Sequence, residues 1–275
     1  MRSVIVLLTD FGVSDPYVGA MKGVIAEINP NAQVIDLTHE VPKYSIEVAA
    51  YILKSTYRYF PKGAIFTVVV DPGVGSARKP LIVQSRNYFF VGPDNGVLIP
   101  AARDDGPVSA YEINTKVAGL PEISWTFHGR DVFAPTAALL SLGVSPESLG
   151  RRVSVSELVA IGVPPKVPEK VSEKVIAIDI FYIDSFGNLM LATDMRTIEE
   201  LLKLKLGDYV EVSASLSSGK WHKARVARTF SEVQPGELAL YEGSLGLAEI
   251  AVYLSSASKL LSVGVGDRVY LRRHQ

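Results

Sequence analysis

The sequence contains no cysteine among its 275 residues, and it has only four histidines and two tryptophans. The absence of cysteine excludes disulfides, thiolate catalysis and cysteine-ligated zinc. No apolar run approaches the length of a transmembrane helix. The formal net charge is −1, and no stripe of basic residues indicates a nucleic-acid groove. What remains is an ordinary globular composition, 48% hydrophobic and 21% charged, in a chain long enough for two cores.

The first apolar stretch, VIVLLT, is too short for a signal peptide and ends before Asp10. No small-residue cleavage site follows it, so we predict a first β-strand and expect a cytoplasmic protein with no membrane contact.

Strand-like and helix-like segments alternate over the first part of the chain. VIVLLT, AQVIDLT and AIFTVVV predict strands, and the patterns at 17–28 and from residue 46 predict helices. Alternation of this kind predicts a layered α/β domain with a mostly parallel sheet, which we assign to residues 1–165.

The composition then shifts to VPPKVPEKVSEK, rich in proline, lysine and glutamate, and we predict a semi-rigid linker over 166–174. Beyond it, short strands separated by Gly, Ser or Asp turns predict a small antiparallel β-barrel over 175–275. Only TIEELLKL has a helical pattern there.

The segment DPGVGSAR follows the apolar run AIFTVVV directly. Asp71 ends the predicted strand, and Gly73 and Gly75 predict a turn after it. The turn brings Arg78 back toward Asp71. Open α/β sheets bind ligands at the carboxyl ends of their strands, so this is a candidate site. The alternative is that Asp71 only caps the turn and Arg78 is solvated.

Other polar residues stand near the ends of predicted strands or in the segment TFHGRD, namely Asp10, His39, Asp94, Asn95, His128, Arg130 and Asp131. His128 has a structural alternative, as any lone histidine does, but Gly129 beside it permits a close approach to the backbone. None of these residues has the tight spacing of metal ligands, and we predict no metal site.

The glycines at 73–75 match only half of a dinucleotide fingerprint and precede a strand, so we reject NAD; a Walker loop is also absent. In the second part, DSFGN at 184–188 is either a hairpin turn with Phe186 packed inward or a nucleoside clamp. EGSLGLAEIA at 242–251 is either a glycine-kinked strand or a backbone edge that meets a purine.

Seven segments occur in a fixed order, namely LLTDFG, DLTHEV, DPGVGSAR, VGPDNG, TFHGRDVFAP, DSFGN and EGSLGLAEIA. With them the chain resembles the S-adenosyl-L-methionine (SAM) hydroxide adenosyltransferases, or SAM hydrolases, which are relatives of the SAM-dependent fluorinase and chlorinase. The resemblance extends from Leu7 to about Ala251.

The resemblance implies an α/β domain followed by a small β-barrel, assembled as a homotrimer. SAM would bind between the first domain of one subunit and the second domain of its neighbour. Water would attack C5′ and give adenosine and L-methionine. SAM is the substrate and no cofactor or metal is expected, because the leaving thioether is neutral and needs no acid.

The resemblance also assigns residues. The family's catalytic triad falls on Asp71, Arg78 and His128, and the acid that binds the ribose hydroxyls falls on Asp10. The residues implied at the two ends of SAM are Asp184, Asn188 and Ser244 for methionine, and Phe127 with the backbone near Ala251 for the adenosyl group. One departure is YEGSLG, where an asparagine is expected before Ser-x-Gly.

Two alternatives stay open beside hydrolysis. Halide adenosyl transfer is one, but the halogenating relatives lack the triad and carry an extra loop in the first domain. A SAM or adenosine sensor without turnover is the other, although a sensor is expected to lose Asp71 or Arg78.

Overall fold

The computed structural model describes residues 3–217 and 219–274, so the outer limits of the predicted domains, residues 1 and 275, lie outside it. The chain divides into two compact units, the first ending at Val163 and the second beginning at Pro164. Within the described residues, no helix combines the length and the apolar character that crossing a membrane requires.

The first unit is built on one sheet and six helices. Its strands are β1 (Val4–Thr9), β2 (Gln33–Thr38), β3 (Ile65–Val69), β4 (Pro80–Gln84), β5 (Phe89–Pro93), β6 (Ser109–Ile113) and β7 (Gly150–Val153). Its helices are α1 (Tyr17–Ile28), α2 (Ile46–Thr56), α3 (Ile99–Asp104), α4 (Thr115–Ala118), α5 (Ala134–Ser141) and α6 (Pro146–Leu149).

The strand order of this sheet is β2-β1-β3-β5-β4-β6-β7. The first four strands in that order are parallel, whereas β4, β6 and β7 join antiparallel. The switch has a simple cause, because residues 85–88 are too few for the crossover that a parallel β4–β5 pair requires. The predicted parallel pairing is therefore found among β2, β1, β3 and β5, and the other three strands are antiparallel.

Helix α1 spans the predicted residues, and Asn29 and Pro30 follow its end. Val18, Met21 and Ile25 recur at helical spacing and are buried on one face. Met21 and Ile25 belong to the same apolar cluster as Ile5 on β1. Each such side chain contributes roughly 1.5–3 kcal/mol by leaving water, so this face fixes the helix on the sheet.

The second unit contains eight strands and two helices. The strands are β8 (Glu169–Lys170), β9 (Val175–Ile183), β10 (Leu189–Leu191), β11 (Tyr209–Ser213), β12 (His222–Val226), β13 (Leu238–Glu242), β14 (Ala248–Val252) and β15 (Arg268–Arg273). The helices are α7 (Met195–Leu202) and α8 (Ala257–Leu261). The short strand β8, which pairs with β9, lies inside the range predicted as linker.

Seven of these strands close into a barrel, because β10 pairs with both β9 and β14. All neighbours are antiparallel except β12 and β13, which run parallel after a long connection. The prediction of a mixed α/β domain followed by a β-barrel is confirmed. The prediction of a single helix here was wrong: α8 is too short to show a period, and Ser256 caps it by accepting from the Lys259 amide at 3.2 Å.

Alternation along β13 and β14 separates the interior of the barrel from its outer face. Leu240 and Ile250 belong to the interior cluster. Tyr241 and Ala251 belong to a small separate cluster on the other face. Successive side chains of a strand point to opposite faces, so these two strands carry a second, partly apolar surface outside the barrel.

Candidate active site

Polar residues stand at the carboxyl ends of three neighbouring parallel strands. Asp10 follows β1, His39 follows β2, and Asp71 comes two residues after β3. Because the strand order there is β2-β1-β3, the three ends meet at one edge of the sheet. Sheet edges of this kind are where α/β folds bind ligands.

A cavity of about 250 Å³ opens in the first unit. Four residues singled out from the sequence line it, namely Asp10, Asp71, Phe127 and His128. Phe11, Tyr17 and Tyr44 also line it, and the sequence reasoning had not selected them. Arg78 stands behind this wall, in contact with Asp71 and His128.

Arg78 connects the other two residues of the triad. Its Nε donates to Asp71 Oδ1 at 3.0 Å, its Nη2 donates to Asp71 Oδ2, and Nη2 also lies 2.9 Å from His128 Nδ1. The side chains of Arg78 and Asp71 are only 9% and 5% exposed. The two-pronged pairing fixes the plane of the guanidinium, because both carboxylate oxygens hold it.

The five N–H groups of this guanidinium can be accounted for one by one. One on Nε and two on Nη2 are used by Asp71 and His128. Nη1 is buried and has no hydrogen-bond partner. An arginine donor left unpaired in a buried position is costly, and Nη1 does not open onto the cavity, because Arg78 is not among the residues that line it.

The contact with Arg78 decides which nitrogen of His128 carries the proton. Arginine has no acceptor, so Nδ1 of His128 must accept and Nε2 must carry the hydrogen of the neutral ring. Burial, with a second contribution from the Arg78 charge, lowers the pKa of His128 below 6.5. The histidine is therefore neutral near pH 7, with its Nδ1 lone pair occupied.

Two glycines fix the loops that carry the triad. Gly75 has φ +78°, and a Cβ there would lie 2.6 Å from the carbonyl oxygen of Trp125, so no other residue fits. A Cβ on Gly129 would lie 3.2 Å from the ring of Phe127 and 3.3 Å from Met21. The close approach expected at Gly129 is thus made by the protein's own side chains.

His128 leads into a π-helical turn, Gly129–Phe133, that continues as α5. Turns of this kind recur at functional sites because they re-aim side chains within a helix. Phe133 is fully buried, and the Arg78 guanidinium carbon lies 5.2 Å from its ring centroid. The buried ring supports the cation through a cation–π contact.

Asp10 is held by the segment that precedes α2. The backbone N–H of Tyr44 donates to Asp10 Oδ2 at 2.8 Å, and Lys43 Nζ contacts the Asp10 carbonyl oxygen. Tyr44 has φ +66°, which a bulky residue rarely adopts. The carboxylate of Asp10 keeps Oδ1 for other donors.

Three aromatic rings form an apolar wall of the cavity. Tyr17 and Phe127 have centroids 5.2 Å apart, and Phe11 lies 5.5 Å from Tyr17 and 5.7 Å from Phe127. The two pairs with Phe127 are edge-to-face, whereas Phe11 and Tyr17 are tilted by 50°. An edge-to-face pair contributes about 0.5–1.5 kcal/mol. The wall is rigid and apolar, suited to a flat or hydrophobic part of a ligand.

The remaining candidates from the sequence contact the protein itself. His39 is 4% exposed, with Nδ1 2.8 Å from Thr9 Oγ1 and Nε2 3.0 Å from Asp36 Oδ1. Asn95 donates from Nδ2 to the carbonyl oxygen of Val70 at 2.8 Å, beside Asp71. These residues lie near the cavity and hold the strand ends.

Asp94 accepts from the Val159 N–H at 2.9 Å. Arg130 Nε donates to Asp131 at 2.6 Å, and Asp131 also accepts from the N–H of Ser124 at 2.8 Å. Asp131 is fully buried, so this pair organises the loop that presents His128.

The second unit has a larger cavity, about 750 Å³, on the outer face of β13 and β14. Four residues singled out from the sequence line it, namely Asp184, Asn188, Ser244 and Ala251. This is the surface that the alternation of β13 and β14 creates. The two strands thus carry a barrel core on one side and a cavity on the other.

Asp184 organises the turn between β9 and β10. Its Oδ1 accepts from the N–H groups of Phe186 and Asn188, each at 2.9 Å, and its Oδ2 accepts from Asn188 Nδ2 at 2.9 Å. Gly187 has φ +84°, and a Cβ there would lie 2.1 Å from Ser256 Oγ. The predicted hairpin turn is present, whereas inward packing of Phe186 was wrong, because that ring is 76% exposed.

Two further residues of this cavity were missed from the sequence. Tyr241 donates its hydroxyl to Glu249 Oε1, across the β13–β14 pair. Burial raises the pKa of Glu249, and the charge of Asp184 adds to the increase. Burial and the bond to Glu249 likewise raise the pKa of Tyr241. Glu249 and Ala251 are two residues apart on β14, and Tyr241 is paired with Glu249 on β13. This spacing could have indicated that all three side chains lie on the same face of the sheet.

Aromatic residues line the same cavity and were also missed. The ring of Phe230 lies 6.1 Å from that of Tyr241 and 6.2 Å from that of Tyr253. Phe230 belongs to a short 3-10 turn between β12 and β13, which has no periodic pattern in the sequence. Across residues 3–217 and 219–274, no three His, Cys, Asp or Glu side chains are grouped to hold a metal ion.

Residues 5–150 match the family model of the SAM hydroxide adenosyltransferase N-terminal domain, and 178–270 match that of the C-terminal domain. A curated relative from Thermus thermophilus, named (R)-S-adenosyl-L-methionine hydrolase, is 39% identical over 96% of this chain and 97% of its own length. A relative of the same name from Salinispora tropica is 37% identical over 95% of this chain and 94% of its own length.

A fluorinase from Actinoplanes is more distant, at 26% identity over 90% of each chain. The crystal structure of an uncharacterized conserved protein from Thermotoga maritima has a TM-score of 0.85 at 36% identity, covering 98% of this chain and 100% of that one. The family inferred from the motifs is confirmed, and the chain belongs to the SAM hydroxide adenosyltransferase family.

Proposed function

We propose that this protein is an enzyme that hydrolyses SAM to adenosine and L-methionine through attack of water on C5′. The observation that carries the proposal is the contact network of Asp71, Arg78 and His128 at the cavity of the first unit. Family membership supports it. Because curated relatives are named for the (R) form of SAM, we propose the (R)-sulfonium epimer as the substrate.

The reaction sets a definite physical task. A hydroxide-like oxygen approaches a sulfonium, and both charges diminish on the way to the transition state. Water solvates the separated charges and so slows the reaction, whereas a dry site favours it. The enzyme must hold one water in line behind C5′ and make it a stronger nucleophile.

The triad suits that task. Arg78 stands directly behind Asp71 and His128, and its charge stabilises the negative charge that develops on the water oxygen. Arg78 occupies the single acceptor nitrogen of neutral His128, whereas each oxygen of Asp71 keeps a lone pair beside the one that accepts from Arg78, so we assign the water proton to Asp71. The new bond joins oxygen to C5′, the C5′–S bond breaks, and sulfur keeps the electron pair as a neutral thioether.

Further residues bind the two ends of the substrate. Asp10 accepts hydrogen bonds from the ribose hydroxyls, and Phe127 contacts the adenosyl group as part of the aromatic wall. In the cavity of the second unit, Asp184, Asn188 and Ser244 bind the methionine portion. The backbone at Ala251 contacts the adenosyl portion. The support is the position of these residues in the two cavities.

We further propose a homotrimer in which the first unit of one subunit and the second unit of its neighbour bind one SAM molecule. The support is the family resemblance and the presence, in each unit, of a cavity lined by predicted SAM-binding residues. The proposal includes the expectations of a cytoplasmic enzyme that needs neither cofactor nor metal, and that contacts neither nucleic acid nor membrane.

The test is incubation of each SAM epimer with the protein in water enriched in heavy oxygen, with and without a chelator. Adenosine and methionine should appear together, faster from the (R) epimer, with the label in the adenosine 5′-hydroxyl and no effect of the chelator. Release of adenine, label in methionine, or binding without turnover would contradict the proposal.

A further inference from the structure

We propose that Glu249 is a specificity-determining residue that binds the α-ammonium group of the substrate's methionine portion. The inference rests on the proposed function, since it concerns the same substrate. It assigns a role to a carboxylate that neither the motifs nor the triad uses.

Glu249 lies in the cavity of the second unit, on the same face of β14 as Ala251. Tyr241 on β13 donates its hydroxyl to Glu249 Oε1 and so fixes the direction of the carboxyl group. The carboxylate has two oxygens, and this bond leaves Oε2, which lies beside Gly243, just after the end of β13 in the β13–β14 hairpin.

The hairpin is shaped around that second oxygen. A Cβ on Gly243 would lie 2.4 Å from Glu249 Oε2, so any side chain there would displace the carboxylate. The backbone of Gly243 is not in the left-handed region, and its φ does not demand glycine. The missing side chain is therefore explained by the space that Oε2 occupies.

Asp184 is the other carboxylate of the cavity, and both of its oxygens already accept hydrogen bonds within the turn between β9 and β10. Its oxygens accept three hydrogen bonds, two from backbone N–H groups and one from Asn188 Nδ2. Three of its acceptor positions are used, so Asp184 can contribute to binding the methionine portion but cannot alone accept from the three N–H donors of an ammonium group. Glu249 has one hydrogen-bond donor, Tyr241, and keeps most of its acceptor positions.

The position of Glu249 also suits an amino acid. Oε2 lies over Gly243, and the next residue is Ser244, which lines the same cavity and is proposed to contact the methionine carboxylate. In methionine the ammonium and the carboxylate share one carbon atom, so their partners must be neighbours. Glu249 and Ser244 are such neighbours.

The sulfonium is a poorer partner for this carboxylate. Its charge disappears in the transition state, so an anion beside it would stabilise the substrate more than the transition state and slow the reaction. The ammonium keeps its charge throughout. A carboxylate that binds it improves affinity without opposing the chemistry.

The electrostatics of the cavity point the same way. Burial and the like charge of Asp184 raise the pKa of Glu249, and the Tyr241 hydrogen bond opposes that rise. The other charged residue lining the cavity is Lys259 on α8, and it is not among the groups that shift this carboxyl. A ligand cation would compensate the acidic charge that the protein leaves uncompensated.

The experiment compares SAM with an analogue in which a hydroxyl replaces the α-amino group. For Glu249→Gln, the KM for SAM should rise at least about tenfold, as expected for a lost charged hydrogen bond, with kcat changed less than about threefold. The KM for the hydroxyl analogue should be the same in both enzymes. Glu242→Gln, an exposed neighbour on β13, is the matched control and should behave as wild type.

Calorimetric binding of adenosine shows whether each variant keeps its fold. If Glu249→Gln fails to fold, Tyr241→Phe replaces it. Its KM for SAM should rise a few-fold, with no change in its KM for the hydroxyl analogue. Equal increases in KM for SAM and for the analogue, or a decrease in kcat with unchanged KM, would overturn the role of Glu249. If wild type does not hydrolyse SAM, the proposed function fails instead, and the same comparison is made by binding methionine and its hydroxyl analogue.

Discussion

Replacing Arg78 by lysine tests whether the shape of the guanidinium, and not only its charge, is needed. Arg78 contacts both oxygens of Asp71 and Nδ1 of His128, and its Nη1 donors are unpaired. Lysine has the same charge but carries all its donors on one nitrogen. It can keep an ion pair with Asp71, but it cannot at the same time contact both oxygens of Asp71 and reach His128.

The size of the effect follows from the hydrogen bonds that lysine cannot make. Loss of preorganised electrostatic stabilisation of a developing oxyanion costs about 10²–10³ in kcat, or roughly 2.7–4 kcal/mol. We therefore expect Arg78→Lys to lower kcat by at least about a hundredfold, with a much smaller change in KM. Stability should fall by about 1–3 kcal/mol, because the buried Asp71 loses part of its hydrogen bonding.

The protein offers a matched control in Arg130→Lys. Arg130 also pairs with an aspartate and also stacks on a phenylalanine, 5.1 Å from the Phe127 centroid, but it is 39% exposed. Lysine keeps a positive charge beside the buried Asp131, and the cation of this pair is partly exposed, so kcat should stay within about threefold of wild type. Adenosine formation is followed by chromatography, and stability by urea unfolding. Equal kcat values for Arg78→Lys and wild type would refute the reasoning.

Three further predictions follow from the same geometry. Asp10→Ala should raise KM for SAM by about tenfold or more with a smaller effect on kcat, because the ribose hydroxyls lose a buried acceptor; an unchanged KM in steady-state assays would exclude that role. The pKa of His128 is lowered, so kcat should fall only as pH drops below the ordinary value of 6.5, where a proton on Nδ1 would face Arg78. The same group contributes stability that is complete above 6.5 and is lost as pH falls through its folded pKa, which pH-dependent unfolding would measure. Finally, inactive Asp71→Ala and Asn188→Ala chains refolded together should regain about a quarter of the wild-type activity, the random fraction of intact shared sites in a ring; a dead mixture, with mixed oligomers verified by native mass spectrometry, would contradict the shared site.

The sequence predicted the elements that have strong local signals. Helix α1 was placed because its apolar residues recur at helical spacing and Asn29 and Pro30 stop it. The position of Asp71 at the sheet edge was predicted because this residue follows a buried apolar run. These features depend on residues close together in the chain, where periodicity and turn chemistry are informative.

Other features depend on residues far apart and had no local signal. The parallel pairing of β12 and β13, and the approach of Gly75 to Trp125, follow from tertiary packing. The Tyr241–Glu249 pair spans only eight residues, but it depends on the pairing register of β13 and β14. The proton position on His128 could not be read from the sequence, because it depends on Arg78, fifty residues earlier in the chain.

The closure of the barrel has a consequence for the order in which the chain folds during synthesis. Strand β15, the last described strand, inserts between β9 and β11, so Arg268–Arg273 complete the pairing of residues made long before them. Until those residues have left the ribosome, β9 and β11 present open edges, which are prone to pair with other chains. The first sheet does not depend on the last part of the chain, because all seven of its strands lie within residues 4–153. A truncation before Arg268 should therefore damage the second unit while leaving the first able to fold, and the yield of full-length protein should depend on how well nascent chains are protected late in translation.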